Sequence, residues 1–210
     1  MINVTEEYNK IQEKMKNGGL SVKDRNAIPQ MEMPARDPKL RARQMDEVAL
    51  GFSAEQAVVE ANRCLQCARP FCMDGCPVNI DIPGFIKAIA ESEFQQAIDT
   101  IKKTSLLPAI CGRVCPQEKQ CQGKCTVGKV WKNAEKAVSI GRHERFVADW
   151  ERENNRVKMP EIANKTGKKV AAVGSGPAGL TVAADCARAG HDVTVFEALH
   201  ELGGVLVYGI

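Results

Sequence analysis

CLQCARPFCMDGCPVNIDIPGFI (residues 64–86) and AICGRVCPQEKQCQGKC (residues 109–125) hold eight of the nine cysteines, and their spacing decides how the front of the chain is read. Cys64, Cys67, Cys72 and Cys76 are separated by two, four and three residues, with Pro77 directly after the last. Cys111, Cys115, Cys121 and Cys125 are separated by three, five and three, with Pro116 directly after Cys115. The ninth, Cys186, lies far downstream and reads as a small core residue. The opening MINVTEEYNK is acidic and polar, lacking the basic and apolar regions of a secretory signal. A disulfide framework is therefore not expected, and the clustering points to metal.

An iron–sulfur cubane needs four ligands at tetrahedral corners, and in bacterial two-cluster ferredoxins the cysteine followed by proline serves the other cluster. Cys76 with Pro77 and Cys115 with Pro116 invite the same crossed reading. One cluster would then take Cys64, Cys67, Cys72 and Cys125. The other would take Cys76, Cys115 and Cys121, with Cys111 the simple candidate for its fourth ligand. A segregated arrangement, one cluster per cysteine group, satisfies the spacing equally. Structural zinc also takes four thiolates, but its sites usually repeat Cys-x2-Cys knuckles. Only Cys64 and Cys67 have that spacing, and neither group contains a histidine. Iron–sulfur gives a single-electron carrier, with zinc-stapled helices that dock a partner as the alternative.

Outward from the cysteines, the pattern is helical. Ser53 and Gln56 have capping-box spacing, and Ala57, Val58, Ala61 and Leu65 follow at helical intervals up to the first cysteines. Asp81 and Pro83 open a second helix, Ser92 a third, and a longer one is expected from Asn133 to about Trp150. Residues 1–50 read as a polar arm, mobile or for docking, with one short helix near Tyr8 to Met15. Residues 51–152 read as an all-helical domain, and the polar run 153–167 as a linker. From 168 to 210 the composition switches: KKVAAV and DVTVFE are short apolar strands around a helix that ends at Gly190, the opening of a βαβ unit.

Gly174, Ser175, Gly176, Pro177, Ala178 and Gly179 sit where the first of these strands gives way to the helix. In such a turn the first glycine permits the bend, the second lets backbone approach a pyrophosphate, and the third lets helix and strand pack closely. Helix-start N–H groups then face the phosphates. Glu197 ends the next strand, 18 residues past Gly179, where a carboxylate can accept from ribose hydroxyls. Strand, glycines, helix and acidic strand end agree, which separates this motif from an ordinary glycine turn.

Composition excludes some classes. With 29 basic and 26 acidic residues, the net charge of +3 gives no field that implies nucleic acid. The longest uncharged stretch, Val170 to Ala184, is broken by glycines and Pro177 and falls short of the roughly 18 apolar residues of a spanning helix. The expectation is a soluble, cytoplasmic protein.

Taken together, the two cysteine segments, VSIGRHER (138–145), AAVGSGPAGL (171–180) and VFEALHELGGVLVYGI (195–210) resemble the small-subunit family of NADPH-dependent glutamate synthase. The flavin end of dihydropyrimidine dehydrogenase and the large subunit of NADH-dependent ferredoxin:NADP oxidoreductase are similar. The resemblance covers about Met33 to Ile210. It implies a multidomain protein: an α-helical ferredoxin-like domain with two [4Fe–4S] clusters, then an α/β, Rossmann-like FAD-binding domain and an NADPH domain. It favours crossed ligation and places Glu144 as the non-cysteine ligand of the second cluster, with Cys111 nearby. Gly203 and Gly204 continue the FAD site. The implied partner is a catalytic large subunit, and the implied activity NADPH-dependent oxidoreduction in glutamate biosynthesis. The family pattern continues past Ile210, so the resemblance implies a fragment, inactive alone. A small ferredoxin-like carrier ending in a βαβ stub is a further possibility.

Overall fold

The structure, a computed structural model, describes residues 2–210. Met1 lies outside the described residues. The chain divides into two units after Arg156.

The first unit is helical. Helices α1 (Val4–Lys16), α2 (Val22–Ala27) and α3 (Pro38–Arg41) precede α4 (Ala54–Ala61). The last of these begins at a capping box: Gln56 N–H donates to Ser53 Oγ at 3.2 Å and Ser53 N–H donates to Gln56 Oε1 at 2.9 Å. The short α5 (Phe71–Asp74) carries part of the first cysteine segment. Helix α6 (Ile82–Ala90) starts at Asp81, whose carboxylate accepts from Gly84 N–H. Its Phe85, Ile86 and Ile89 pack into the core with Ala97, Ile98 and Ile101 of α7 (Phe94–Ile101). Helices α8 (Pro108–Val114), α9 (Cys121–Lys124) and α10 (Thr126–Val130) carry the second cysteine segment, and α11 (Ile140–Glu153) closes the unit. Phe94 meets Phe146 and Trp150 of α11 edge-to-face, with centroids 5.0 and 5.6 Å apart. That geometry suits the ring quadrupoles.

Residues 1–50, expected as a polar arm, mobile or for docking, are built into the first unit. Helix α1 packs on α4 and buries Ile11, while Ile28 and Met31 enter the same core. Ile11 shares helical spacing with Val4 and Tyr8, whereas Ile28 and Met31 stand outside any periodic run. A buried carboxylate fixes Met31: Glu60 Oε2 accepts its N–H at 2.8 Å. The expected helix from Asn133 is also split, into a single 3-10 turn at Ala134–Lys136 and then α11. The carbonyls of Lys136 and Ala137 are taken by Arg63, and Ser139 N–H by Glu60. Those long-range bonds hold the segment out of a continuous helix.

The second unit is a βαβ turn. Strand β1 (Lys169–Val173) and strand β2 (Asp192–Phe196) pair in parallel, from Lys169 opposite Asp192 to Val173 opposite Phe196, joined by α12 (Pro177–Arg188). Helix α13 (Val205–Tyr208) follows. The end of the expected linker belongs to this unit: Ala163 N–H donates to Arg188 O and Thr166 N–H to Gly190 O. Gly190 follows α12 at φ +86°, where an added Cβ would lie 2.2 Å from Asn164 O. No described helix is long and apolar enough to cross a membrane.

Candidate functional site

In the first unit, two close backbone approaches bring distant cysteines together. At Gly75, just before Cys76, a Cβ would sit 2.6 Å from Gln120 O, so the two cysteine segments touch through backbone. At Gly112, just after Cys111, a Cβ would sit 2.5 Å from Arg145 N, so α8 lies directly on α11 beside Glu144. Neither position accepts a side chain without movement.

Cys64, Cys67, Cys72 and Cys125 line one cavity, walled by Leu65, Pro70, Phe71, Pro83, Val127 and Val138. Burial pushes the Cys64 thiol up to about 11 and the Cys72 thiol up to about 12, with the nearby Cys125 sulfur adding to both. Cys76 stands with the other set. Burial, then the neighbouring charges of Cys111, Glu144 and Cys76, raise Cys115 to about 12. Burial chiefly, with Cys76 and Glu144 behind it, also brings Cys121 to about 12. Cys111 is raised by burial and then by Glu144. Glu144 itself is buried, its carboxyl raised to about 7 by desolvation, and its Oε1 has no hydrogen-bond partner. An orphaned buried carboxyl oxygen is costly, and a positively charged group would satisfy it.

All nine cysteines are free thiols. Among the described residues, no three His, Cys, Asp or Glu side chains converge closely enough to hold a single metal ion. Four thiols around one cavity, and a second set beside an unpartnered carboxylate, fit a larger group with sulfur-rich ligation. Cys186 lies in α12, in the other unit.

Several groups at these sites have no signature in the sequence. Gln66 Nε2 donates to Cys64 Sγ at 3.4 Å, and the Cys67 thiol contacts Thr126 Oγ1 at 3.5 Å. Arg25, from the segment expected to be an arm, donates to the carbonyls of Asn62 and Cys64 at 3.1 Å each. Phe71 lies beneath Arg69 and Lys129, which stand 5.0 and 4.5 Å from its centroid. The Thr126, Arg25 and Lys129 contacts join positions far apart along the chain, so no local pattern encodes their partners. His143 is fully buried, with its ring nitrogens facing Ser139 O and Ala57 O, a bracing role between α11 and α4.

The second unit gathers the glycine motif. Gly174 has φ +92°, and a Cβ on Gly179 would meet Gly174 O at 1.9 Å, so the helix start packs against the strand end. Gly176 is open, with nothing within 4 Å of an added Cβ. Gly204 returns the chain to within contact of Gly176. Pro177 and Ala178 form the first turn of α12. Ser175 is wholly buried. Its N–H and hydroxyl donate to Glu197 Oε2 at 2.8 and 2.5 Å, and its Oγ accepts Gly203 N–H at 2.9 Å. Glu197 Oε1 accepts from Ala198 and Leu199 N–H at 2.7 and 2.9 Å. These bonds, led by the Ser175 hydroxyl, hold the carboxyl down at about 2. Glu197 thus ties the phosphate-type loop to the end of β2.

Residues 41–156 match the family described as dihydropyrimidine dehydrogenase domain II, 4Fe-4S cluster. The chain belongs to this family. Residues 173–207 of this 4Fe-4S family member also match the NAD(P)-binding Rossmann-like domain. The chain is 37% identical over 179 residues to the glutamate synthase (NADPH) small chain of Azospirillum brasilense, covering 85% of this chain and 36% of the relative. It is 40% identical over 189 residues to that of Bacillus subtilis (strain 168), covering 85% and 37%. To the NAD-dependent dihydropyrimidine dehydrogenase subunit PreT of Salmonella typhimurium it is 38% identical over 166 residues, covering 79% and 39%. The chain thus spans little more than a third of the length of these relatives. The fold is an α-helical 4Fe-4S domain followed by a Rossmann-like βαβ opening.

Proposed function

We propose that this chain is the electron-transfer portion of an NADPH-dependent iron–sulfur flavoprotein, most akin to the glutamate synthase small subunit, holding two [4Fe–4S] clusters by crossed ligation. Cys64, Cys67, Cys72 and Cys125 hold the first. Cys76, Cys115 and Cys121 hold the second, with Glu144 as its fourth ligand and Cys111 beside it. The observation that carries this is the pairing of Cys125 with the first cysteine segment around one cavity, while Cys76 shares its surroundings with Cys115, Cys121 and Glu144. The orphaned Oε1 favours Glu144 over Cys111.

When bound, flavin and clusters convert two-electron hydride chemistry into single-electron transfer. The residues of the chain bind and shield. Leu65, Phe71, Val127 and Val138 keep water from the first set of sulfurs, and the Gly75 and Gly112 contacts hold the two ligand sets in register. Gly176, left open, would offer backbone to the FAD pyrophosphate, with Gly174 and Gly179 shaping the turn and Gly203 and Gly204 returning beside it; Glu197, held at the end of β2, would meet the ribose. In the whole protein an NADPH domain and a catalytic large subunit complete the path. The rival is a zinc-stapled scaffold, which the lack of three converging ligands among the described residues disfavours, and metal content separates the two.

The test is anaerobic iron and sulfide analysis with electron paramagnetic resonance on the reduced chain. About eight iron and eight sulfide per chain are expected. Glu144→Ala should remove one of two cluster signals and Cys111→Ala should leave both. Zinc without sulfide, or the reverse pattern in the two variants, refutes the assignment.

A further inference from the structure

We infer that Gln66 and Thr126 are potential-setting residues: their side chains donate hydrogen bonds to the sulfurs of Cys64 and Cys67 and raise the potential of the first cluster. This rests on the two-cluster reading above and adds to it what sets one of the two potentials.

Gln66 is a non-glycine residue at φ +49°, a conformation that is sparsely populated for side-chain-bearing residues. It is held by its amide. Nε2 reaches both Cys64 Sγ at 3.4 Å and Pro83 O at 3.2 Å. Both partners accept, so the amide must present its NH2 group to them, and its orientation follows from the contacts. Pro83 lies in the first turn of α6, which anchors the donor to a rigid element. Thr126 is the first residue of α10, directly after the ligand Cys125. With Cys67 as a thiol, its S–H points to Thr126 Oγ1. A thiolate bound to iron has no proton, so in the loaded protein the hydroxyl must be the donor of that same contact.

Adding one electron to a cluster raises the negative charge on its sulfurs. Hydrogen bonds to charged acceptors are stronger than neutral ones, so both donors favour the reduced state, and hydrogen bonding to cluster sulfurs is a recognised determinant of potential. Neither donor reaches the second set, so their effect falls on the first cluster alone.

The experiment is a dithionite titration of the anaerobically iron–sulfide-loaded chain, read by electron paramagnetic resonance, on wild type, Gln66→Met, Thr126→Val and Thr126→Ser. Two one-electron midpoints are expected in the wild type. Gln66→Met and Thr126→Val should each lower one midpoint, the same one in both variants, about tenfold in equilibrium constant, about 59 mV for one electron, and leave the other in place. Thr126→Ser, which keeps the hydroxyl, should retain the wild-type value. Unmoved midpoints in variants that keep their iron, an equal fall of both midpoints, or a Thr126→Ser shift as large as that of Thr126→Val would overturn the inference. So would loss of iron from both Gln66→Met and Thr126→Val, since the two side chains would then be holding the loops rather than tuning sulfur. A wild-type chain that takes up no iron would instead refute the two-cluster reading itself.

Discussion

Replacing Glu60 with leucine should be among the most damaging single changes in the helical unit that leaves every proposed ligand in place. Glu60 is completely buried and joins three segments. Its Oε1 accepts from Arg63 at 2.5 Å and from Ser139 N–H at 3.0 Å, and its Oε2 accepts from Met31 N–H at 2.8 Å. Leucine leaves two backbone donors without partners, at about 1–3 kcal/mol each. It also removes the counter-charge of Arg63, whose guanidinium keeps only the carbonyls of Lys136 and Ala137. Breaking a buried pair from one side costs about 3–5 kcal/mol, and since the orphaned donors relax together the total is set near that range rather than at the sum. With m near ~2 kcal/mol/M in urea, the unfolding midpoint should fall by about 2 M. Glu60→Gln retains one acceptor oxygen and should lose about half as much, since a neutral hydrogen bond is weaker than a charged one. The assay is anaerobic urea unfolding of the loaded chain, followed by far-ultraviolet circular dichroism. A midpoint change under about 0.5 M for Glu60→Leu would refute the view that this carboxylate organises the junction of the N-terminal segment, α4 and α11.

Gly112→Ala forces a methyl to within 2.5 Å of Arg145 N; overpacking of this kind costs about 1–3 kcal/mol, and the thermal midpoint should drop together with the signal of the proposed second cluster. Gly176→Ala meets nothing within 4 Å, so stability measured the same way should change by less than about 0.5 kcal/mol; affinity for the proposed flavin should fall because the methyl occupies the approach to its pyrophosphate. The Glu197 carboxyl should titrate near 2 rather than at its ordinary 4.5. The folded state prefers the ionised form, so its contribution is complete above 4.5 and fades as pH falls through 2; a carbon-detected nuclear magnetic resonance titration with a midpoint above 4 would contradict the bonding seen around Ser175.

What could be read from the chain alone follows from the range of the interactions involved. The α4 cap was legible because Ser53 and Gln56 lie three residues apart, and the nucleotide loop because Gly174 to Gly179 are contiguous and flanked by apolar runs. The cysteine positions were equally plain, yet their partition was not: the spacing allows crossed and segregated sets. Which set Cys125 joins depends on how α5 meets α9, and that contact is made by backbone at Gly75 and Gln120. The N-terminal fifty residues were the least legible. Ile11 lies on the helix expected near Tyr8 to Met15, but Ile28 and Met31 are buried outside any periodic run, Met31 by a carboxylate 29 residues away, so neither helical nor strand periodicity marks those two. The break before Ile140 was hidden for the same reason, because the acceptors and donors that interrupt it belong to Glu60 and Arg63.

A chain that must hold two groups of soft ligands cannot rely on a large aromatic core, since Phe, Trp and Tyr make up only 5% of it. The helices of the cysteine segments are short: α5 and α9 have four residues each and α10 has five. Helices of that length are not stable by themselves. Their positions are fixed instead from the outside, by Arg25 on the carbonyl of Cys64, by Glu60 and Arg63 across α4 and the α11 entrance, and by Arg113 bridging Glu47 and Asp149 beside α8. Charged side chains in the surrounding helices therefore do for the ligand loops what apolar packing does in an ordinary domain. The residues that contribute most to keeping the sulfurs in place are for that reason expected among Arg25, Glu60, Arg63 and Arg113 as much as among the cysteines.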